Sequence, residues 1–346
     1  MIDWSKSYNA VWRVFRINEQ TWTDAELLQG VDDASVTRSC SGNAPMLESG
    51  SMTVTGDEFE RGYYRLVLNA EQGYNSERLE VATLLCESSK KAYSYGAVQH
   101  SVSCNSVLYP AYTELILDGT YLPARQDAAQ FAAGLLRGCI KAPVEVHGAF
   151  ALSETYWFEF GIRVLEAVWE LLETGGFVIH IDGHGTVHIK PKPTSPTLNL
   201  DGARITLLAD SVASALDTSK VPNRYIAKSD EVMAVAINDD PESDVSTVNR
   251  GYYFDYLDEK PAPLVTETLQ GYAKRKLEEL STDVSDVRSY KREFWPDVYP
   301  FDLVTGTLSR IGLDGDMRIV NQSIKCSGGV TVSEQAAREV TLWHRE

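Results

Sequence analysis

The chain has 346 residues, 43% of them hydrophobic and 23% charged, and a formal net charge of −17. At about 150 residues per domain, that length implies two or three folded domains, each able to bury a core of its own. So acidic a surface repels phosphate backbones, and the lysines and arginines form no continuous basic patch, so sequence-independent nucleic-acid binding is disfavoured.

The first third reads as β. Val11 to Ile17, Ala34 to Cys40, Ser49 to Thr55, Tyr63 to Leu68, Leu79 to Cys86 and Ala97 to Ser103 are short runs, several alternating apolar and polar, separated by Gly, Asn and Ser. Six strands at this spacing predict a barrel or sandwich. Met46 to Met52 is a turn into a strand; Glu48 within it has no visible partner that would make it a catalytic acid.

The middle of the chain changes period. Asp127 to Cys139 carries Ala128, Phe131, Ala132, Leu135 and Leu136 on one helical stripe, and Gly161 to Thr174 carries Val164, Leu165, Val168, Trp169, Leu171 and Leu172 on another. Gly175-Gly176 ends the second helix, whose Glu166, Glu170 and Glu173 are expected on a solvated face rather than around a metal. A hairpin follows over Phe177 to Ile189. With its turn at His184, Ile181 faces Val187, Ile179 faces Ile189, and His180 faces His188 on the more polar side. Two opposed imidazoles suit zinc or copper, but His184 at the tip is badly placed as a third ligand, so no metal is expected at His180, His184 and His188.

From Leu198 onward the pattern returns to β, with strands at Asn223 to Ala227 and Val232 to Ile237, a helix over Glu267 to Leu280, and strands at Val287 to Phe294, Asp302 to Leu308 and Met317 to Cys326. Between Asp230 and Lys260 nine acids face only Arg250 and Lys260, which reads as a solvated, mobile loop, or more sharply as an acidic wall along which DNA slides without sticking. Leu313 to Asp316 is expected to be a tight turn and Ser333 to Val340 a short helix. Lys190 to Pro196 and Lys260 to Pro263 are Pro-rich and mark boundaries. The expected architecture is therefore α+β: a β-barrel-like domain over 1–110, a helix-and-hairpin α/β insert over 111–196, and a second β-barrel region over 197–346 with its helix at 267–280.

The five cysteines are odd in number and widely spaced without a CxxC, so buried thiols are expected rather than a disulfide framework. The longest apolar runs fall far short of the ~20 residues of a membrane helix, and the N-terminus, with Asp3, Trp4 and Lys6, lacks the apolar core of a signal peptide, so folding in a cytoplasm is expected. No P-loop, GxGxxG, HExxH, GxSxG or EF-hand loop occurs, and no pair of carboxylates is singled out for hydrolysis. No catalytic, cofactor-binding or metal-ligating residue is assigned, and no cofactor is expected.

One stretch has a recognisable layout. Arg292 to Val304, read as strand, Pro-limited turn, Asp302 and strand, followed by Met317 to Cys326, resembles the C-terminal domain of phage tail hub proteins, of the late-control-D-like kind. The Leu47-Glu48-Ser49-Gly50 entry into a strand is similar to one in the N-terminal domain of that family. The order of helix, Asp-Gly hairpin and Lys190-Pro191-Lys192-Pro193 matches its small α/β domain inserted between barrels. The resemblance implies a non-enzymatic virion tail component, assembled in the bacterial host cytoplasm: a homotrimeric hub of the tail tip or baseplate. Two barrels per chain would adapt a sixfold tail tube to a threefold tip and leave a channel for DNA. Its implied partners are a tail tube or distal tail ring protein, a tape-measure protein and a tip spike or fibre, without membrane insertion. The alternatives are a cell-wall or polysaccharide hydrolase with an acidic cleft, and a carbohydrate-binding tail module using the 7 Trp and 17 Tyr.

Overall fold

The computed structural model describes residues 2–4, 6–41, 45–94, 96–152, 155–200, 213–228, 232–259, 261, 268–282, 284–296, 298–308, 313–327, 329–340 and 342–343. The chain divides into two compact units, one of residues 1–212 and 289–336, the other of residues 213–288 and 337–346. This differs from the three-way division expected from sequence, because the C-terminal strands return to the first unit.

The first unit begins with seven strands, β1 (Asn9–Asn18), β2 (Thr23–Leu27), β3 (Val31–Ser39), β4 (Leu47–Thr55), β5 (Gly62–Gln72), β6 (Asn75–Ser94) and β7 (Ala97–Asn105). Then come α1 (Tyr109–Thr113), β8 (Tyr121–Leu122), α2 (Ala128–Cys139), β9 (Val144–Val146), β10 (Tyr156–Trp157), α3 (Val164–Thr174), β11 (Phe177–Ile181), β12 (Val187–Pro191) and β13 (Pro196–Asn199). The second unit holds β14 (Ala213–Leu216), β15 (Arg224–Lys228), β16 (Met233–Ile237), α4 (Thr247–Arg250), β17 (Asp255–Asp258) and α5 (Leu269–Thr282). The chain ends through β18 (Val284–Glu293), β19 (Leu303–Leu308), β20 (Leu313–Cys326) and β21 (Val330–Val340).

The two expected barrels are one continuous sheet. Its order is β18-β21-β20-β3-β4-β7-β6-β5-β1-β2, with β13 and β19 branching from β20, and no closed barrel forms among the described residues. The junction is the antiparallel pair β20 and β3, in which Gln322 faces Arg38 and Ile324 faces Val36. One face of the sheet encloses Val36, Met52, Leu66, Leu68, Val81, Leu84, Val102, Ile324 and Val332. The other, around Tyr63 and Leu85 of β5 and β6, packs on α2 and α3. Strand β5 is therefore buried along both faces, from Gly62 to Leu68.

The helices follow the expected stripes. Asp127 caps α2 by accepting from the Ala129 and Gln130 N–H groups, and the six apolar stripe residues of α3 are all buried. Gly176 ends α3 at φ +68°, where a side chain would strain the backbone.

Ser333 to Val340 is not a helix but part of β21. Its Glu, Gln, Ala and Arg residues favour a helix locally, yet Val332, Glu334 and Ala336 are buried while Gln335 is exposed, an alternation only a strand produces. Leu313 to Asp316 is not a turn either: it is paired strand, Gly315 of β20 standing opposite Gly306 of β19. Cys86 and Cys104, opposite each other on β6 and β7, form a disulfide, against the expectation of free thiols; Cys40, Cys139 and Cys326 are free.

In the second unit the acidic segment is not a loop. Ser246 caps the turn of helix α4, Gly251 closes it at φ +72°, and β17 pairs in parallel with β15. The strands β15 and β16 pack Tyr225, Ala227, Ala234 and Ala236 on Tyr272, Ala273 and Leu277 of α5. Asp258 accepts hydrogen bonds from both the Tyr225 and Tyr272 hydroxyls at 2.8 Å. The Lys260 to Pro263 boundary lies outside the described residues except for Pro261.

Candidate functional site

The first unit concentrates its buried polar chemistry in one row across five strands. Arg38 on β3 is 4% exposed, and its Nε donates to Glu48 Oε1 on β4 at 2.8 Å. Arg38 Nη1 donates to Gln322 Oε1 on β20 at 2.7 Å, and Nη2 to the Val81 carbonyl. Gln322 passes the row on, its Nε2 donating to Glu334 Oε1 on β21 at 2.7 Å and to the Val298 carbonyl at 3.0 Å. Glu334 is gripped by Arg292 on β18, whose Nε meets Oε2 at 2.8 Å and whose Nη2 meets Oε1 at 2.5 Å; both side chains are fully buried.

The two carboxylates respond differently to burial. Burial pushes both upward, but the two-pronged Arg292 contact and the Gln322 amide outweigh it at Glu334, which is held below the usual carboxylate range. At Glu48 burial wins over Arg38 and the carboxyl rises to about 7. Its Oε2 has no hydrogen-bond partner among the described residues. A carboxyl near 7 is chemically suited to general acid catalysis. The space beside it, between Leu47, Ile179, His180 and Tyr299, is only ≈ 10 Å³, room for one water and for no sugar.

Asp302 explains the Pro-limited turn. Its carboxylate accepts the Tyr299 N–H at 3.0 Å, its own N–H returns to the Tyr299 carbonyl at 3.2 Å, and Phe301 between them takes φ +73°. The turn holds Tyr299 with one contact under the Arg38 guanidinium, 4.5 Å from the ring centre, and another edge-on to His180, 4.3 Å between rings.

The hairpin has the expected register: Ile181 faces Val187, His180 faces His188, and Ile179 faces Ile189. Its three histidines go separate ways. His180 lies against Tyr299, and burial first, then the neighbouring Lys190 charge, lowers it to about 2. His184 at the tip stands 3.4 Å from Glu80, while its carbonyl accepts from Trp22 Nε1 at 2.8 Å and Arg65 Nη2 at 3.0 Å. The tip sits so close to β6 that a Cβ on Gly183 would lie 1.7 Å from the Glu80 carbonyl oxygen. His188 instead meets His147 and Glu145, which sequence reasoning did not single out. Their ligand atoms lie within 4.8 Å of one another, the one such group of three among the described residues. The signal lay in the pairing of β9 with β12, Glu145 opposite His188, and a three-residue strand has no periodicity to detect.

Glu166, Glu170 and Glu173 border a cleft of ≈ 630 Å³ with Trp169, Lys192 and Phe301, and form no metal group. A second cleft of ≈ 190 Å³, lined by Arg38, Glu80, Asp182, Trp295, Tyr299 and Gln322, is below the size of small-molecule sites.

No family model matches the chain, and no curated protein does. Solved structures do. The 43 kDa tail protein of prophage MuSo2 from Shewanella oneidensis is similar over 96% of this chain and 99% of its own length, with TM-score 0.63 at 13% identity. The chain has the fold of phage tail proteins. A tail protein from Neisseria meningitidis is similar over 96% of this chain and 98% of its own, with TM-score 0.62 at 13% identity. The prophage tail protein gp18 from Listeria monocytogenes is similar over 94% of each chain, with TM-score 0.50 at 14% identity.

Proposed function

We propose that the chain is a structural component of a phage tail tip or baseplate, a hub without enzymatic activity of its own. What carries the proposal is the near-complete, two-way coverage by prophage tail proteins: a shared catalytic or binding domain alone would match one part of each chain, whereas here the whole architecture corresponds. The buried carboxylates agree with it, since Glu48 and Glu334 each face an arginine and the spaces they line are only ≈ 10 Å³ and ≈ 230 Å³. In this proposal three copies close into a ring, and each contributes its N-terminal strands β1–β7 and its C-terminal strands β18–β21 as two β faces towards a sixfold tube. The acidic surface then faces a DNA channel that repels its cargo. The partners are a tail tube or distal ring protein, a tape-measure protein and a tip spike or fibre, met in the virion tail after assembly in the host cytoplasm.

The test is electron microscopy of particles from the genome that encodes the chain. An epitope placed at the exposed β5–β6 turn, beside Tyr74, should bind gold at the distal end of the tail. A stop codon in the gene should leave heads without complete tails. Infectious, normally tailed particles that lack the chain would refute the proposal.

A further inference from the structure

The cluster on the β9–β12 pair is independent of the tail reading and has the makings of a metal site. Glu145 and His147 alternate along the chain on either side of Val146, and β9 lies parallel to β12, which brings His188 opposite Glu145. The His147 N–H donates to the Ile189 carbonyl at 2.8 Å, which fixes that backbone beside the hairpin. His147 Nε2 lies 2.9 Å from His188 Nδ1 and 3.7 Å from Glu145 Oε2, and His188 Nδ1 lies 3.5 Å from Glu145 Oε2. Ligand atoms arranged tetrahedrally around zinc at 2.0–2.1 Å stand roughly 3.3 Å apart. The three separations straddle that value, so an ion fits between the groups after shifts of a few tenths of an ångström.

The orientation of His188 is set from behind. Its Nε2 lies 3.1 Å from Asp182 Oδ2, and an ionised carboxylate only accepts, so the ring proton belongs on Nε2. Nδ1 is left as a lone pair aimed at His147 and Glu145. Asp182 is itself immobilised: its Oδ1 accepts the Thr186 N–H at 2.8 Å, and its backbone N–H donates to the Thr186 carbonyl at 3.1 Å across the hairpin turn. A carboxylate behind a ligating imidazole is the arrangement that fixes tautomer and direction in metal centres. The His147 and Glu145 side chains are 53% and 58% exposed, so the ion's remaining positions are open to water or to a partner's side chain.

We infer that Glu145, His147 and His188 bind a divalent transition-metal ion of the zinc class, with Asp182 as the residue that positions His188. This replaces the expectation of no metal, which turned on His184; that residue is bound to the β6 surface and takes no part. Two imidazoles and one carboxylate favour zinc, copper or nickel over calcium or magnesium, which prefer oxygen ligands alone.

The experiment is calorimetric titration of Zn²⁺ into the chelator-stripped full chain, with Co²⁺ absorption as a second readout of coordination. One equivalent of Zn²⁺ should bind, and His147→Ala should abolish it; His147 is exposed, so the fold tolerates the change, which circular dichroism verifies. Asp182→Asn should weaken binding by roughly 10–100-fold while the Co²⁺ spectrum keeps its form. His180→Ala and His184→Ala should bind as the native chain does. No Zn²⁺ uptake by the native chain, or uptake unaffected by His147→Ala, would overturn the site. An unchanged affinity in Asp182→Asn would overturn the positioning role.

Discussion

Arg292→Met is the sharpest test of the buried row. The guanidinium and the Glu334 carboxylate are both fully buried, so removing one leaves an uncompensated charge that only the Gln322 amide and its neighbours still contact. Breaking a buried pair in this way costs about 3–5 kcal/mol, whereas an exposed pair costs at most about 1 kcal/mol. Against a typical net stability of about 5–15 kcal/mol, stranding that charge removes a large part of the margin by which a domain stays folded. Urea unfolding followed by tryptophan fluorescence reads it, because Trp295 packs against both sheet cores of that unit. The double variant Arg292→Met/Glu334→Leu should recover most of the loss, since two apolar side chains of similar volume leave no charge behind. The pH dependence follows the same pair. Glu334 is held below its unfolded value of 4.5, so its contribution is present above pH 4.5 and lost as the pH falls through the folded value. A loss under about 1 kcal/mol in Arg292→Met would mean that the pair is solvated and the row is not a buried network.

Glu48 has the opposite sign: between pH 4.5 and about 7 the folded chain holds a proton that the unfolded chain has released, so stability falls as the pH rises through that window. Glu48→Gln should remove a fall on the order of 3 kcal/mol from the stability–pH curve, and parallel curves for variant and native chain would contradict the assignment. Gly183→Ala forces the hairpin tip off Glu80 and weakens the hydrogen bonds from Thr83, Trp22 and Arg65 to the Gly183 and His184 carbonyls. The expected cost is about 3 kcal/mol, read by urea unfolding, and an unchanged midpoint would show that the tip is not docked. Duplex DNA should bind negligibly even at low ionic strength, as anisotropy measures; submicromolar binding there would contradict an acidic channel wall.

Much of the fold was legible where local period and burial agree. Six of the seven N-terminal strands, all but β2, the stripes of α2 and α3, and the hairpin register follow from alternation or helical spacing that tertiary contacts reinforce. Ser333 to Val340 was misread because its propensity is helical while its burial alternates, and burial cannot be seen without the partner strands. The disulfide was missed for a similar reason. Cys86 and Cys104 are 18 residues apart and meet only because β6 and β7 form a long hairpin with a register shift beside Cys86. In the candidate site, the opposition of His180 and His188 was readable, but His147 lies 41 residues from His188 and reaches it through a parallel pair of three residues. The same limit applies to Glu48: its arginine lies ten residues away on the preceding strand, where only the β3–β4 register makes them neighbours.

The junction of β3 with β20 joins residues 284 apart in sequence, as in the Arg38–Gln322 hydrogen bond. Closing so long a loop costs conformational entropy, and strands paired at such a separation have competing registers within reach. A slip of one residue would turn every β20 side chain to the opposite face of the sheet. It would carry Gln322 away from Arg38 and Glu334, and so leave buried charges without the amide that links them. A buried polar row such as that from Glu48 through Arg38, Gln322 and Glu334 to Arg292 adds little net stability after desolvation, whereas a register that stranded its charges would carry a large penalty. Such a penalty favours the one register in which the two β regions, separate in sequence, join as a single sheet, with Glu48 and Glu334 each held by an arginine within it.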